Sequence, residues 1–89
     1  MLSSLRQALK AKAHHLKPVI LIGSKGLTPA VINETEIALL AHELIKVKIN
    51  GAEKEERSEI TTELCTALKA ELVQSIGNTS IIYRKNEEK

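Results

Sequence analysis

Lys17-Pro18-Val19-Ile20-Leu21-Ile22-Gly23-Ser24-Lys25-Gly26-Leu27-Thr28-Pro29 decides the fold. Pro18 forces an extended entry, and Val19 to Ile22 is an unbroken apolar run of the length of a buried strand. The loop that follows has glycine at both ends, Gly23 and Gly26, with Ser24 and Lys25 between them. Glycine opens backbone conformations closed to other residues. Thr28 is a helix N-cap by type and Pro29 suits the first helical position. A strand, a glycine loop and a capped helix start in this order place free amides and the positive end of a helix dipole beside the Lys25 ammonium. An anion such as phosphate is the natural guest of that arrangement. The plain alternative is a tight strand-to-helix turn that uses glycine for geometry alone.

Working outward, the spacing predicts helix, strand, helix, strand, helix and a closing hairpin. Leu5, Leu9, Ala13 and Leu16 follow helical periodicity and form the expected buried face of the first helix, which leaves Arg6, Lys10 and His14 as a stripe along one flank. The second helix is predicted over residues 29–42. Its core face is Val31, Thr35, Ala38 and Leu39, with Ile32 at the margin and Ile37 and Leu40 on the far side. Residues 44–49 alternate, Ile45, Val47 and Ile49 facing one way and Lys46 and Lys48 the other, as in a strand with one face on a core and one in solvent. A polar loop over 50–57 leads to a third helix over 58–70, with an apolar stripe of Ile60, Leu64, Ala67 and Leu68 and with Cys65 at its border. Strands at 72–76 and 80–84 join through Gly77-Asn78-Thr79, a strong hairpin signal, and residues 86–89 read as a frayed polar tail.

Composition bounds what such a chain can do. Its 89 residues, 43% hydrophobic, are enough for one domain over 1–89 that buries roughly 60 to 65% of its unfolded surface without metal or disulfide. The single cysteine gives no sign of an oxidising compartment, and no apolar run approaches the roughly 20 residues of a membrane span. Residues 1–13 are acid-free and carry serines, as presequences do, yet they hold one arginine and run straight into the first strand. A cytoplasmic location is the expectation. Net charge is only +2, but residues 1–33 hold five basic side chains and no acidic one, against eight basic and eleven acidic in the remainder. The positive field therefore surrounds the glycine loop.

Catalytic constellations are scarce. The loop is neither a P-loop, which needs GxxxxGK and then Ser or Thr, nor a GxGxxG dinucleotide fingerprint. His14, His15 and His42 sit in no zinc-binding frame, and there is no aspartate. His14 and Ser24 can be imagined as base and nucleophile, but adjacent histidines at a helix end more simply favour its negative pole. Neither catalysis nor a cofactor is expected. With Tyr83 as the one aromatic residue, a reader that stacks bases on exposed rings is excluded. What remains is backbone recognition. Gly23, Ser24, Lys25 and Gly26 would grip phosphates, and Lys17, the Arg6–Lys10–His14 flank, Lys46, Lys48 and Arg84 would extend the track.

The runs AHHLKPVILIGSKGLT (13–28), HELIKVKI (42–49) and IGNTSIIYR (76–84) resemble the CRM domain (chloroplast RNA splicing and ribosome maturation) in its stand-alone bacterial YhbY-like form. The resemblance covers about residues 5–85. It implies a two-layer α/β fold, α-β-α-β-α-β-β with a four-stranded mixed sheet, similar to the C-terminal domain of bacterial translation initiation factor three. It also implies RNA binding through the GxxG loop, here Gly23 to Gly26, and association with precursors of the large ribosomal subunit. Two other readings stay open: a small enzyme that binds a phosphate or nucleotide, and a protein-interaction module that docks or self-associates through Ile37 and Leu40.

Overall fold

In the computed structural model, which describes residues 2–86, the chain runs α1 (Ser3–Ala13), β1 (Pro18–Ile22), α2 (Pro29–His42), β2 (Leu44–Ile49), α3 (Lys54–Leu68), β3 (Glu71–Ile76) and β4 (Thr79–Tyr83). The strands form one mixed sheet in the order β1-β2-β4-β3. β1 lies parallel to β2, with Leu21 opposite Lys48, while β4 is antiparallel to both β2 and β3. This is the α/β architecture expected, with three helices on a four-stranded sheet.

The alternation in β2 sets the layers. Ile45, Val47 and Ile49 join Ile20, Ile22 and Ile82 on one face, where Leu39 of α2 and Leu64 and Leu68 of α3 close the main core. That sheet and the α2–α3 layer are the two layers of the expected fold. On the opposite face α1 adds a partial third cover: Leu9 and Ala13 pack on Leu44, Val73 and Ile81, with Leu16 and Tyr83 at the border. β2 is therefore apolar toward both faces at Leu44 and Ile45, and Lys46 and Lys48 are half-buried rather than fully in solvent.

Several expectations change in physical detail. β1 is an edge strand, and its run of apolar residues is buried on one side only: Ile20 and Ile22 are in the core, whereas Val19 and Leu21 are 52% and 61% exposed. Leu5 and Ala67 are exposed, since α1 and α3 each bury a narrower stripe than their apolar spacing allows. α3 starts at Lys54, four residues before the predicted start. Its first turn has no apolar periodicity, but Glu55 and Glu56 favour the positive helix end, and Arg57 returns to the Ala52 carbonyl through Nη1 at 2.8 Å. The helix ends on Lys69 in the left-handed region (φ 56°). The β3–β4 loop is the two residues Gly77 and Asn78, with Ile76 paired to Thr79 and a φ of 58° at Gly77.

Residues 84–86 form a clamp, not a frayed end. Arg84 Nη1 and Nη2 each donate to the Glu36 carboxylate at 2.7 Å, and Nη1 also donates to the Leu68 carbonyl at 3.0 Å. One guanidinium thus ties the middle of α2 to the end of α3. Asn86 Nδ2 donates to the Leu39 and Leu40 carbonyls, and its amide to Glu43 Oε2, which satisfies the open end of α2. Glu43 itself has a φ of 63°, and its carbonyl accepts from the Arg84 amide at 2.9 Å. Residues 87–89 of the predicted tail lie outside the described residues.

The fork holds the Glu36 carboxyl below its ordinary range, chiefly through the Arg84 hydrogen bonds, while partial burial opposes the shift. A carboxylate with a depressed folded pKa contributes stability above its unfolded value, near 4.5, and loses it as pH falls through the lower folded value. Glu36→Gln is expected to cost about 1 kcal/mol at pH 7, a figure discounted because the carboxylate is partly in solvent. Urea denaturation of both proteins at pH 7 and at pH 3 checks this; the deficit should shrink at the lower pH.

Candidate nucleic-acid interface

The glycine turn sits at the carboxyl end of β1, where the backbone leaves the sheet and enters α2. The Gly26 amide donates to the Gly23 carbonyl at 3.0 Å, which closes a four-residue turn with Ser24 and Lys25 exposed at its tip. Gly26 has a φ of 68°, a conformation that disfavours any residue with a Cβ, whereas Gly23 has an ordinary φ and open space around its α-carbon. Only one of the two glycines is therefore required by the backbone. Thr28 caps α2 as expected: its Oγ1 accepts from the Val31 amide at 3.2 Å, and Pro29 opens the helix. The amides of Ser24, Lys25 and Ala30 have no acceptor among the described residues. They accompany the Lys25 ammonium at the positive end of the helix.

Two asparagines that sequence reasoning did not single out brace this turn. The Asn50 amide donates to the Ile22 carbonyl at 2.8 Å, which fixes the exit of β1 to the exit of β2. Asn78 Nδ2 donates to Asn50 Oδ1 at 3.1 Å, and its carbonyl accepts from the Ile49 amide at 2.7 Å. A side chain at Gly51 would lie 3.8 Å from Ser24, in ordinary contact, so the β2–α3 loop backs directly onto the turn. The turn dipeptides Asn50-Gly51 and Gly77-Asn78 are the sequence signal for this bracing.

The remaining candidates divide between the two ends of the sheet. Lys48, beside Leu21 on β1, lies at the glycine-turn end, and Lys46 pairs one step back with Pro18. Lys17 precedes β1 and is separated from Gly23 by the whole strand, roughly 20 Å at about 3.3 Å per residue. His14, the exposed C-cap of α1, lies at that same far end, so it cannot act on Ser24. The proximity in sequence between the α1 stripe and the turn does not become proximity in space, because β1 intervenes. Arg6 lies farther still. Its Nη1 donates at 3.2 Å to the carbonyl of Val73, where the β3 register shifts and a ladder acceptor is freed, which docks α1 toward the β3 edge. Arg84 leaves the candidate set, since both of its terminal nitrogens are spent on Glu36 and Leu68.

Charge is distributed to match. The solvent face of α3 carries Glu55, Glu56, Glu59 and Glu63, all exposed, so anions are repelled from that side and admitted at the turn. No group of three or more potential metal ligands occurs among the described residues. His14 and His15 meet edge to face with ring centroids 5.8 Å apart. Burial pushes the Cys65 thiol up to about 11, so it stays a thiol at neutral pH. Among the described residues, no helix is long and apolar enough to cross a membrane.

The chain belongs to the CRS1 / YhbY (CRM) domain family, whose model matches residues 1–84. It is 47% identical over 81 residues to a protein of Pseudomonas aeruginosa named a probable RNA-binding protein, covering 91% of this chain and 78% of that relative. It is 47% identical over 83 residues to a protein of Haemophilus influenzae named an RNA-binding protein, covering 93% and 84%. The solution structure of a hypothetical protein from Staphylococcus aureus superimposes with a TM-score of 0.85 at 32% identity, covering 98% of this chain and 92% of that one.

The two glycines give a sharp contrast. Gly26→Ala is expected to destabilise the fold by about 1 kcal/mol through its left-handed φ, and Gly23→Ala by less than about 0.5 kcal/mol. Urea midpoints of the two variants at equal m-value measure the difference.

Proposed function

We propose that this protein binds RNA by its sugar-phosphate backbone at the glycine turn. The observation that carries this reading is the exposed Lys25 on a turn where the amides of Ser24, Lys25 and Ala30 lack acceptors among the described residues, beside the α2 N-terminus. Phosphate oxygens supply the missing acceptors, and the ammonium supplies charge. The RNA-binding names of the two bacterial relatives support the same ligand class. The proposed target is precursor large-subunit ribosomal RNA within pre-ribosomal particles in the cytoplasm, where the protein would assist assembly without catalysing a reaction. Lys48, and Lys17 at the far end of β1, extend the contact along the edge strand. A small phosphate-binding enzyme would instead show saturable nucleotide binding and turnover, and that outcome would overturn this reading.

Ile37 and Leu40 support an accessory proposal. They are 58% and 53% exposed on the outer face of α2, away from the glycine turn's charge, and would dock a protein partner or a second copy. Replacing both with glutamine should change stability by no more than about 0.5 kcal/mol each. It should leave affinity for free RNA intact and reduce co-sedimentation with large-subunit precursors.

Lys25→Glu should keep the native circular dichroism spectrum and weaken binding to a ribosomal RNA fragment by about tenfold or more in fluorescence anisotropy, since one contact is lost and one repulsion gained. With about four phosphates neutralised on single-stranded RNA, log affinity should fall against log salt with a slope of roughly −3. An unchanged affinity for Lys25→Glu would remove the turn from the interface.

A further inference from the structure

At the end of the sheet opposite the glycine turn lies a cleft of about 270 Å³ between the last turn of α1, the entry to β1 and the junction of α2 with β2. Its floor is aliphatic, formed by Leu16, Val19 and the buried Leu44, and its polar rim is Lys12, Lys17 and His42. No carboxylate among the described residues lines it. Val19 contributes to no core cluster and is half exposed, so its apolar side chain is not accounted for by folding. A bare phosphate or metal would find no use for such a floor. An acidic group alone would need only the rim.

We propose that this cleft takes one unstacked nucleotide of the bound RNA strand, its base lying on the Val19–Leu44 floor and its phosphate meeting Lys12 and Lys17. The proposal rests on the RNA-binding reading and extends it to a second contact point. The volume suits a single nucleotide, the two lysines and the absence of acid suit its phosphate, and the apolar floor suits the flat face of a base. The one Phe, Tyr or Trp side chain, Tyr83, borders the α1 core and not this cleft, so the base is held chiefly by aliphatic contact, with the His42 imidazole at the rim. β1 joins the two contacts: a strand leaving the cleft runs over the exposed face of β1, past Leu21 and its β2 partner Lys48, to the turn at residues 23–26. Single-stranded RNA would then be preferred over a duplex, whose bases cannot leave the stack without cost.

The test compares a single-stranded oligoribonucleotide with a chain of the same length that lacks its bases, using the unmodified protein and Val19→Ser. The unmodified protein should bind the intact strand about tenfold more tightly than the abasic chain, and Val19→Ser should bind the two within about twofold. The Val19 and Leu44 methyl resonances should shift with the intact strand only. An equal preference for bases in Val19→Ser, or none in either protein, overturns the proposal. So does a polyglutamate peptide that shifts the same methyls as strongly, because the cleft would then serve an acidic protein segment. Lys25→Glu on the same RNA separates the two readings: if it weakens binding while the abasic chain binds as well as the intact one, the turn stands and the cleft falls. If no RNA binds the unmodified protein, both fall.

Discussion

Burial of β2 on both faces is the constraint on which the rest of the structure depends. Ile45, Val47 and Ile49 hold α2 and α3 on one side, and Leu44 holds α1 on the other. Because β2 is also the partner of β1 and of β4, the register of every other strand is measured from it. A one-residue slip would send Lys46 and Lys48 into the main core and expose three large aliphatic side chains, an exchange that costs several kcal/mol. The parallel pairing with β1 follows, and with it the position where β1 must stop and the chain must turn toward α2.

What stands at that stop is rigid at its base and open at its tip. The Asn50 amide on Ile22 and the Asn78 side chain on Asn50 tie the exits of β1 and β2 to the hairpin, so the turn is held by the ends of all four strands. Ser24 and Lys25 are left free to meet a ligand. Preorganised amides lose little entropy on binding, which is why a turn with so few side chains can serve as an anion site. At the opposite pole, charge-assisted hydrogen bonds from Arg84 tie Glu36, in the middle of α2, to the end of α3, and the Asn86 amide group closes the end of α2. The two poles use basic side chains differently: Lys25 is exposed with no ion-pair partner among the described residues, and Arg84 is structural.

The parts legible in the sequence are those whose signal is local. The alternation at 44–49, the Thr28-Pro29 start of α2 and the Gly77-Asn78 hairpin each follow from adjacent residues, and the structure has all three. The start of α3 was not legible, because Lys54, Glu55 and Glu56 carry no apolar period and their helix is stabilised by end charge. The exposure of Val19 and Leu21 depends on β1 lying at the edge of the sheet, which a run of four aliphatic residues cannot report. Arg84 and Glu36 are 48 positions apart, so no window along the chain shows their pairing. The basic stripe of α1 was legible as a stripe, but its distance from the turn depends on how α1 crosses the sheet toward Val73.

In the proposed binding mode, RNA meets this protein at the braced turn and along its edge strand, away from the acidic face of α3. Backbone amide shifts recorded during titration with a single-stranded ribosomal RNA fragment test it most directly. The largest shifts are expected at Ser24, Lys25, Gly26 and Ala30, smaller ones at Lys48, and none at Glu55, Glu59 or Glu63. Shifts concentrated on α3, with residues 23–26 unmoved at saturation, would contradict it.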